Sequence, residues 1–252
     1  MTDGQVPLQL RNVVHLIRPA QLLARDLEQL RVGITLAPDA ALFYHTVQVQ
    51  LRNPATDELP PDDLSAWVGG VVQDRETAER LSFAVQTRGG SPEELRAALI
   101  GALDTIPEKT RLASLAPHEG RFSFLLSEPV TVPDGPPVLD AAGLIEALEA
   151  ADASVWFYHL VEEPWFGGGR MPVADWLEAL QEPQLADWLR DCAREHIPLD
   201  MLRDRVLRRW KRRRLGSRVA DAARAPEGMR REAQREAVSK LVRRMTRPGS
   251  SG

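Results

Sequence analysis

The sequence predicts an α+β, predominantly α-helical protein. It reads as a tandem internal duplication whose pseudo-twofold related halves each combine a short strand with several helices. Three observations predict this. The only two tyrosines sit in the same tripeptide, Phe43-Tyr44-His45 and Phe157-Tyr158-His159. Downstream segments then match in the same order, at separations drifting from 114 to 109, 108 and 107 residues. Short β-prone runs also precede apolar positions at helical spacing in both halves. Two copies suit a twofold pair better than a solenoid, which needs about three repeats.

Each half opens on an apolar, β-prone run, Leu8 to Ile17 and Arg121 to Val132. An amphipathic helix follows, expected over about Ala20–Arg31 and Ala141–Ala150. The Phe-Tyr-His segments read as strand by alternation. They read as helix by their approach through Pro38-Asp39 and Asp152-Ala153-Ser154, and helix is the preferred reading. Trp67 and Trp176 mark short helices, and Leu81 and Leu189 mark the next pair. The last helix of the first half starts at Ser91 as N-cap, with Pro92 in the first turn and Glu93 and Glu94 near the positive dipole end. Its apolar positions Leu95, Leu99 and Leu103 recur every four residues until Pro107. The matching helix carries Leu202, Val206 and Trp210 on one stripe.

These boundaries divide the chain into residues 1–115, 116–215 and a basic tail at 216–252. Ala116-Pro117-His118-Glu119-Gly120 joins the halves, and Pro133-Asp134-Gly135-Pro136-Pro137 is a loop within the second. Val219–Ala223 and Glu232–Met245 have helical patterns, but isolated helices of that length are marginal, so most of the tail is expected to be mobile.

The composition, 43% hydrophobic and 27% charged over 252 residues, is that of a globular protein. No run approaches the 18 apolar residues of a membrane span, and Met1-Thr2-Asp3-Gly4-Gln5 lacks a signal-peptide pattern. One cysteine, Cys192, excludes an intrachain disulfide and a multi-cysteine zinc site. A cytoplasmic location is expected. The net charge of −4 conceals an asymmetry: residues 203–252 hold 17 Lys and Arg against 5 Asp and Glu, +12, and residues 1–202 hold 15 against 31, −16.

The ordered motifs resemble the domain-of-unknown-function 5752 family of bacteria and archaea. Phe43-Tyr44-His45-Thr46 is similar to its first-half Tyr-Tyr-His-Thr-His, with Val47 at the second histidine. Asp62-Asp63-Leu64-Ser65-Ala66-Trp67 is similar to its Asn-Asp-Phe-x-x-Trp element, and Phe157-Tyr158-His159-Leu160-Val161-Glu162 to its Tyr-Phe-His-x-Phe-Glu. Pro172-Val173-Ala174-Asp175-Trp176 keeps the tryptophan without the Asn-Asp pair. The resemblance spans about residues 8–213. It implies a duplicated fold and no activity.

The candidate chemistry is limited. On a helix, His159 shares a face with Glu162 or Glu163, a spacing that can bind a metal or orient a general base. His45 would join it if the halves face each other. The first half offers only Gln48 and Val49 at the matching places, so a symmetric metal site fails. The structural reading is a hydrogen-bonded imidazole that fixes its aromatic neighbours. Trp67 and Trp176 read as core anchors, Asp62-Asp63 as helix caps, Cys192 as packing, and Gly167-Gly168-Gly169-Arg170 as a surface loop lacking the phosphate-loop ending. His15, His118 and His196 have no partner at useful spacing. The clearest binding signal is Arg208, Arg209, Lys211, Arg212, Arg213 and Arg214 around Trp210, six positive charges in seven residues. These observations favour a non-catalytic binding or interaction protein whose basic segment engages nucleic acid or an acidic partner. The alternative is an enzyme or metalloprotein with a site at His45, His159 and Glu162. No motif calls for a cofactor or a membrane partner.

Overall fold

The computed structural model describes residues 6–52, 62–88, 91–194 and 197–224, with only the backbone at 50, 88 and 214–224. The chain is mostly helical around a two-stranded antiparallel ribbon. Strand β1 (Arg11–Ala24) is followed by α1 (Leu27–Leu36), α2 (Asp39–Thr46), α3 (Val49–Arg52) and α4 (Asp63–Trp67). A π-helical turn (Val68–Val72) leads to α5 (Arg75–Arg88), α6 (Pro92–Asp104) and α7 (Glu108–Ala113). The second half runs β2 (Phe122–Pro133), α8 (Ala141–Ala150), α9 (Ala153–Phe157), a π-helical turn (Tyr158–Glu162), α10 (Glu163–Phe166), α11 (Pro172–Ala179), α12 (Pro183–Arg194) and α13 (Leu199–Arg224).

The chain forms two compact units, Met1–Val206 and Leu207–Gly252, divided within α13. The first unit contains both strands and every helix up to the opening turns of α13. Because β1 and β2 pair with each other, the two halves of the chain share one sheet. The second unit is the remainder of the chain, of which the helical stretch to Arg224 is described.

The ribbon's register runs from Arg11↔Pro133 to Pro19↔Leu125 and shifts before Leu23↔Ser123. Gln21 adopts φ 58° in that irregularity, and Gly135, 114 residues on, adopts φ 63°. A non-glycine residue there is uncommon; pairing with β2 resumes beyond it at Leu23 and Ala24. The expected helix at Ala20–Arg31 is therefore corrected: β-branched and apolar residues carry the strand to Ala24, and helix begins only after Asp26. The Asp26 carboxylate accepts from the Gln29 amide at 2.7 Å, and Asp140, 114 residues on, accepts from Gly143 at 2.7 Å. These caps set the starts of α1 and α8.

A lone two-stranded ribbon is marginal in water. Here one face is covered: Phe122 and Phe124 are buried where α2 packs on β2 and Phe124 meets Gly33 of α1, and Val13 is buried on β1, which α9 and the second π-helical turn pack against. Gly33 permits this approach, since a Cβ there would lie 2.4 Å from a ring carbon of Phe124. The Phe-Tyr-His segments are helical in both halves, and Phe43 and Phe157 meet at 5.7 Å between ring centroids. Leu95, Leu99 and Leu103 form the fully buried stripe of α6, and Ser91 caps it through the Glu94 amide. Helix α13 continues past 216 to Arg224 and includes the helical pattern read at Val219–Ala223. The expected helix at Glu232–Met245 lies outside the described residues.

Candidate functional site

His45 lies on α2, 3% exposed. Its Nε2 accepts a hydrogen bond from the Leu125 amide of β2 at 2.9 Å. A ring that accepts there carries its proton on Nδ1, which donates to Asp63 Oδ2 at 2.8 Å. Arg52 also donates to that oxygen at 2.7 Å and sits over the Tyr44 ring. Burial pushes the Asp63 carboxyl up, but the hydrogen bonds from His45 and Arg52 outweigh it and hold it below the usual carboxylate range. Asp62 is the N-cap of α4, accepting from the Ser65 amide at 2.8 Å. Burial pushes its carboxyl above the ordinary range despite the bonds from Ser65. The adjacent aspartates thus have different tasks, one capping and one orienting a histidine.

His159 lies in the second π-helical turn, also 3% exposed. Its Nε2 accepts from the Arg11 amide of β1 at 2.9 Å, and Nδ1 donates to Glu163 Oε2 at 3.1 Å. Each histidine therefore holds the strand of the opposite half of the chain. The tryptophans hold the segments that lead into those strands. Trp67 Nε1 donates to Gly120 O at 2.6 Å, five residues before Leu125. Trp176 Nε1 donates to Val6 O at 2.9 Å, five residues before Arg11. Trp67 is buried and Trp176 half-buried.

The structure does not bring His45, His159 and Glu162 together. Leu125 pairs with Pro19, eight residues along β1 from Arg11, so the two anchoring amides are roughly 26 Å apart at about 3.3 Å per residue. The carboxylate on His159 is Glu163. Glu162, 1% exposed, instead meets His15 of β1, whose Nε2 lies 2.9 and 3.1 Å from the two carboxylate oxygens. His15 thus has a partner, 147 residues away, which no local spacing could announce. Its only sequence signal is its alternation with Val13 on the covered face of the strand. Among the described residues no three His, Cys, Asp or Glu converge as a metal-holding group.

Cys192 is buried on α12. Gly168 and Gly169 take φ 64° and 84° in the turn after α10, and the Gly169 amide is bonded to Pro164 O at 2.8 Å. His118 lies in the turn before β2, and His196 is outside the described residues. Arg208, Arg209, Lys211, Arg212 and Arg213 are exposed on α13. Arg214 belongs to the same helix, with its side chain outside the described residues.

Compared with known proteins, the chain belongs to a family of unknown function, DUF5752, whose profile matches residues 5–211. Its fold is similar to that of OrfY from Thermoproteus tenax, with 23% identity, a TM-score of 0.68, and coverage of 82% of this chain and 95% of that one. At that identity the likeness shows the fold alone. No curated protein matches. Among the described residues, no helix is long and apolar enough to cross a membrane.

Proposed function

We propose that this is a non-catalytic cytoplasmic binding protein. In this reading a duplicated scaffold carries a basic helix, Arg208–Arg214, that binds polyanions, nucleic acid first among them. The observation that carries the non-catalytic reading is the state of the two histidines. Both ring nitrogens of each are committed to protein partners in a buried setting. A general base needs a lone pair that reaches substrate, and neither histidine offers one.

The duplication is supported by features 114 residues apart: the two histidines, the two aspartate caps and the two positive-φ positions at Gln21 and Gly135. Reciprocal anchoring of each strand by the other half supports it further. The binding reading rests on the exposed cations of α13 and on the +12 balance of residues 203–252. Arginine forks suit phosphate, and their contacts release condensed counterions.

The test is fluorescence anisotropy with labelled single-stranded RNA, single-stranded DNA and duplex DNA at 50 and 200 mM salt. The intact chain should bind, and about four phosphate contacts would weaken binding by roughly 100-fold across that salt range. The Arg212→Glu/Arg213→Glu/Arg214→Glu variant should not bind. Absence of binding at 50 mM salt overturns the nucleic-acid reading. Binding of polyglutamate in its place would assign the segment to an acidic protein partner.

A further inference from the structure

The first unit contains a cavity of about 660 Å³, within the 300–1,000 Å³ range of small-molecule sites. It lies between helices of the two halves: the end of α2 and parts of α5 and α6 on one side, the second π-helical turn, α10 and α12 on the other. Its apolar lining includes Val49, Val85, Leu160 and Trp165. Trp165 is 4% exposed and is braced by Phe43 at 5.7 Å between centroids, so it presents a fixed indole wall.

The charges on this cavity are unbalanced. Asp62, Glu93 and Glu94 line it, as do Arg190 and Arg194. The arginines are already engaged: Arg190 with Asp175, Glu178 and Asp187, and Arg194 with Asp191. Among the described residues, no cation pairs with Glu93 or Glu94, which are exposed in the first turn of α6. The lining therefore combines apolar walls, an aromatic ring and surplus negative charge. That chemistry recognises an ammonium group on an apolar body. We propose that this cavity binds a small amphipathic organic cation, with Glu93 and Glu94 holding the ammonium at the mouth and the apolar body seated against Leu160 and Trp165. Among the described residues, none of Arg208–Arg214 lines the cavity, which favours a ligand of the opposite charge to theirs.

The test uses three probes that share a fluorophore: dansylcadaverine, which is cationic, dansylamide, which is neutral, and dansylglycine, which is anionic. Each is titrated onto the full chain while dansyl emission is followed. Dansylcadaverine should bind saturably at one site, at least tenfold more tightly than dansylamide, and dansylglycine more weakly still. Glu93→Gln/Glu94→Gln changes two exposed side chains and should cut dansylcadaverine affinity about tenfold while leaving dansylamide unchanged. Ala193→Phe fills the cavity and should remove binding of all three, with circular dichroism and the melting temperature checking the fold. The basic-helix triple variant should bind dansylcadaverine as the intact chain does, whatever its effect on nucleic acid. Equal affinity for the three probes, insensitivity to the glutamine pair, or unaltered binding in a folded Ala193→Phe protein would each overturn the proposal.

Discussion

His45 and His159 do the same job with different parts. Each accepts a strand amide on Nε2 at 2.9 Å and gives its Nδ1 proton to a carboxylate. In the first half the carboxylate is Asp63, on a separate helix and shared with Arg52. In the second it is Glu163, four residues along the same segment, with no arginine in the bond. The tautomer and the strand contact are common to both sites, and the source of the carboxylate is not. The difference teaches that the ring's orientation is the requirement. Any acceptor that fixes the Nδ1 proton serves, as the carboxylates behind metal-bound histidines do. A second contrast lies one helical turn on. Glu162 is hydrogen-bonded to His15, while the residue 114 positions earlier, Gln48, is uncharged and 3% exposed. Across the ribbon from His15 stands Pro129, which offers no side-chain donor.

The largest expected effect tests whether the two histidines are equivalent. His45→Ala and His159→Ala should each destabilise the fold by roughly 2–4 kcal/mol, because each leaves a strand amide and a carboxylate without their ring and opens a cavity. Urea unfolding measures both. Costs that differ by more than about 2 kcal/mol would break the comparison. Gln48→Glu should cost about 2–3 kcal/mol, since it buries a carboxylate without a partner. Adding Pro129→His should recover part of that cost, and a double-mutant cycle reads the coupling. A cycle with no coupling would show that the two arrangements are unrelated.

Smaller effects separate the two aspartates. Asp62→Ala should cost about 1 kcal/mol as a lost cap. Asp62→Asn keeps the acceptor and sheds a carboxylate that burial disfavours, so its denaturation midpoint at pH 7 should match or exceed the parent's. The pH dependences run in opposite senses. Asp63 lies below its unfolded value, so its contribution is present above the usual carboxylate range and is lost as pH falls through the folded value. Asp62 lies above its unfolded value, so its contribution is present at acid pH and is lost as pH rises through the folded value. Unfolding midpoints of the parent and Asp63→Asn should therefore separate above the usual carboxylate range and converge as the pH falls below it. The smallest test costs no stability: ¹⁵N chemical shifts at pH 7 should show both rings protonated on Nδ1. A ring protonated on Nε2 would contradict the strand contact.

Much of the local structure was legible. Ser91 and Pro92 start α6 where the capping pattern placed them, and its Leu95-Leu99-Leu103 stripe is fully buried. The α8 range follows its apolar spacing. The start of α1 was misjudged because Leu22, Leu23 and Ala24 suit a helix as well as a strand. Pairing with β2, more than 95 residues away in sequence, decided for strand at Leu23 and Ala24. Of the candidate site, the importance of His45 and His159 was legible from their shared tripeptide. Their partners were not. Asp63 read as a second cap and His15 as solitary, and for His159 the helical spacing offered Glu162 and Glu163 alike, of which the structure selects Glu163.

The sequence by itself determined the repeated order of motifs, the caps, the buried stripes of the longer helices and the charge asymmetry between body and C-terminal segment. Those are properties of residue spacing, and helix geometry converts spacing into a face without outside help. Only the tertiary structure decided that each histidine anchors the other half's strand, that His15 meets Glu162, and that His45 and His159 stand apart along the ribbon. Those relations depend on which strand pairs with which and in what register. A one-residue slip of register would turn the inward side chains outward, and nothing in the spacing of a single segment records that choice.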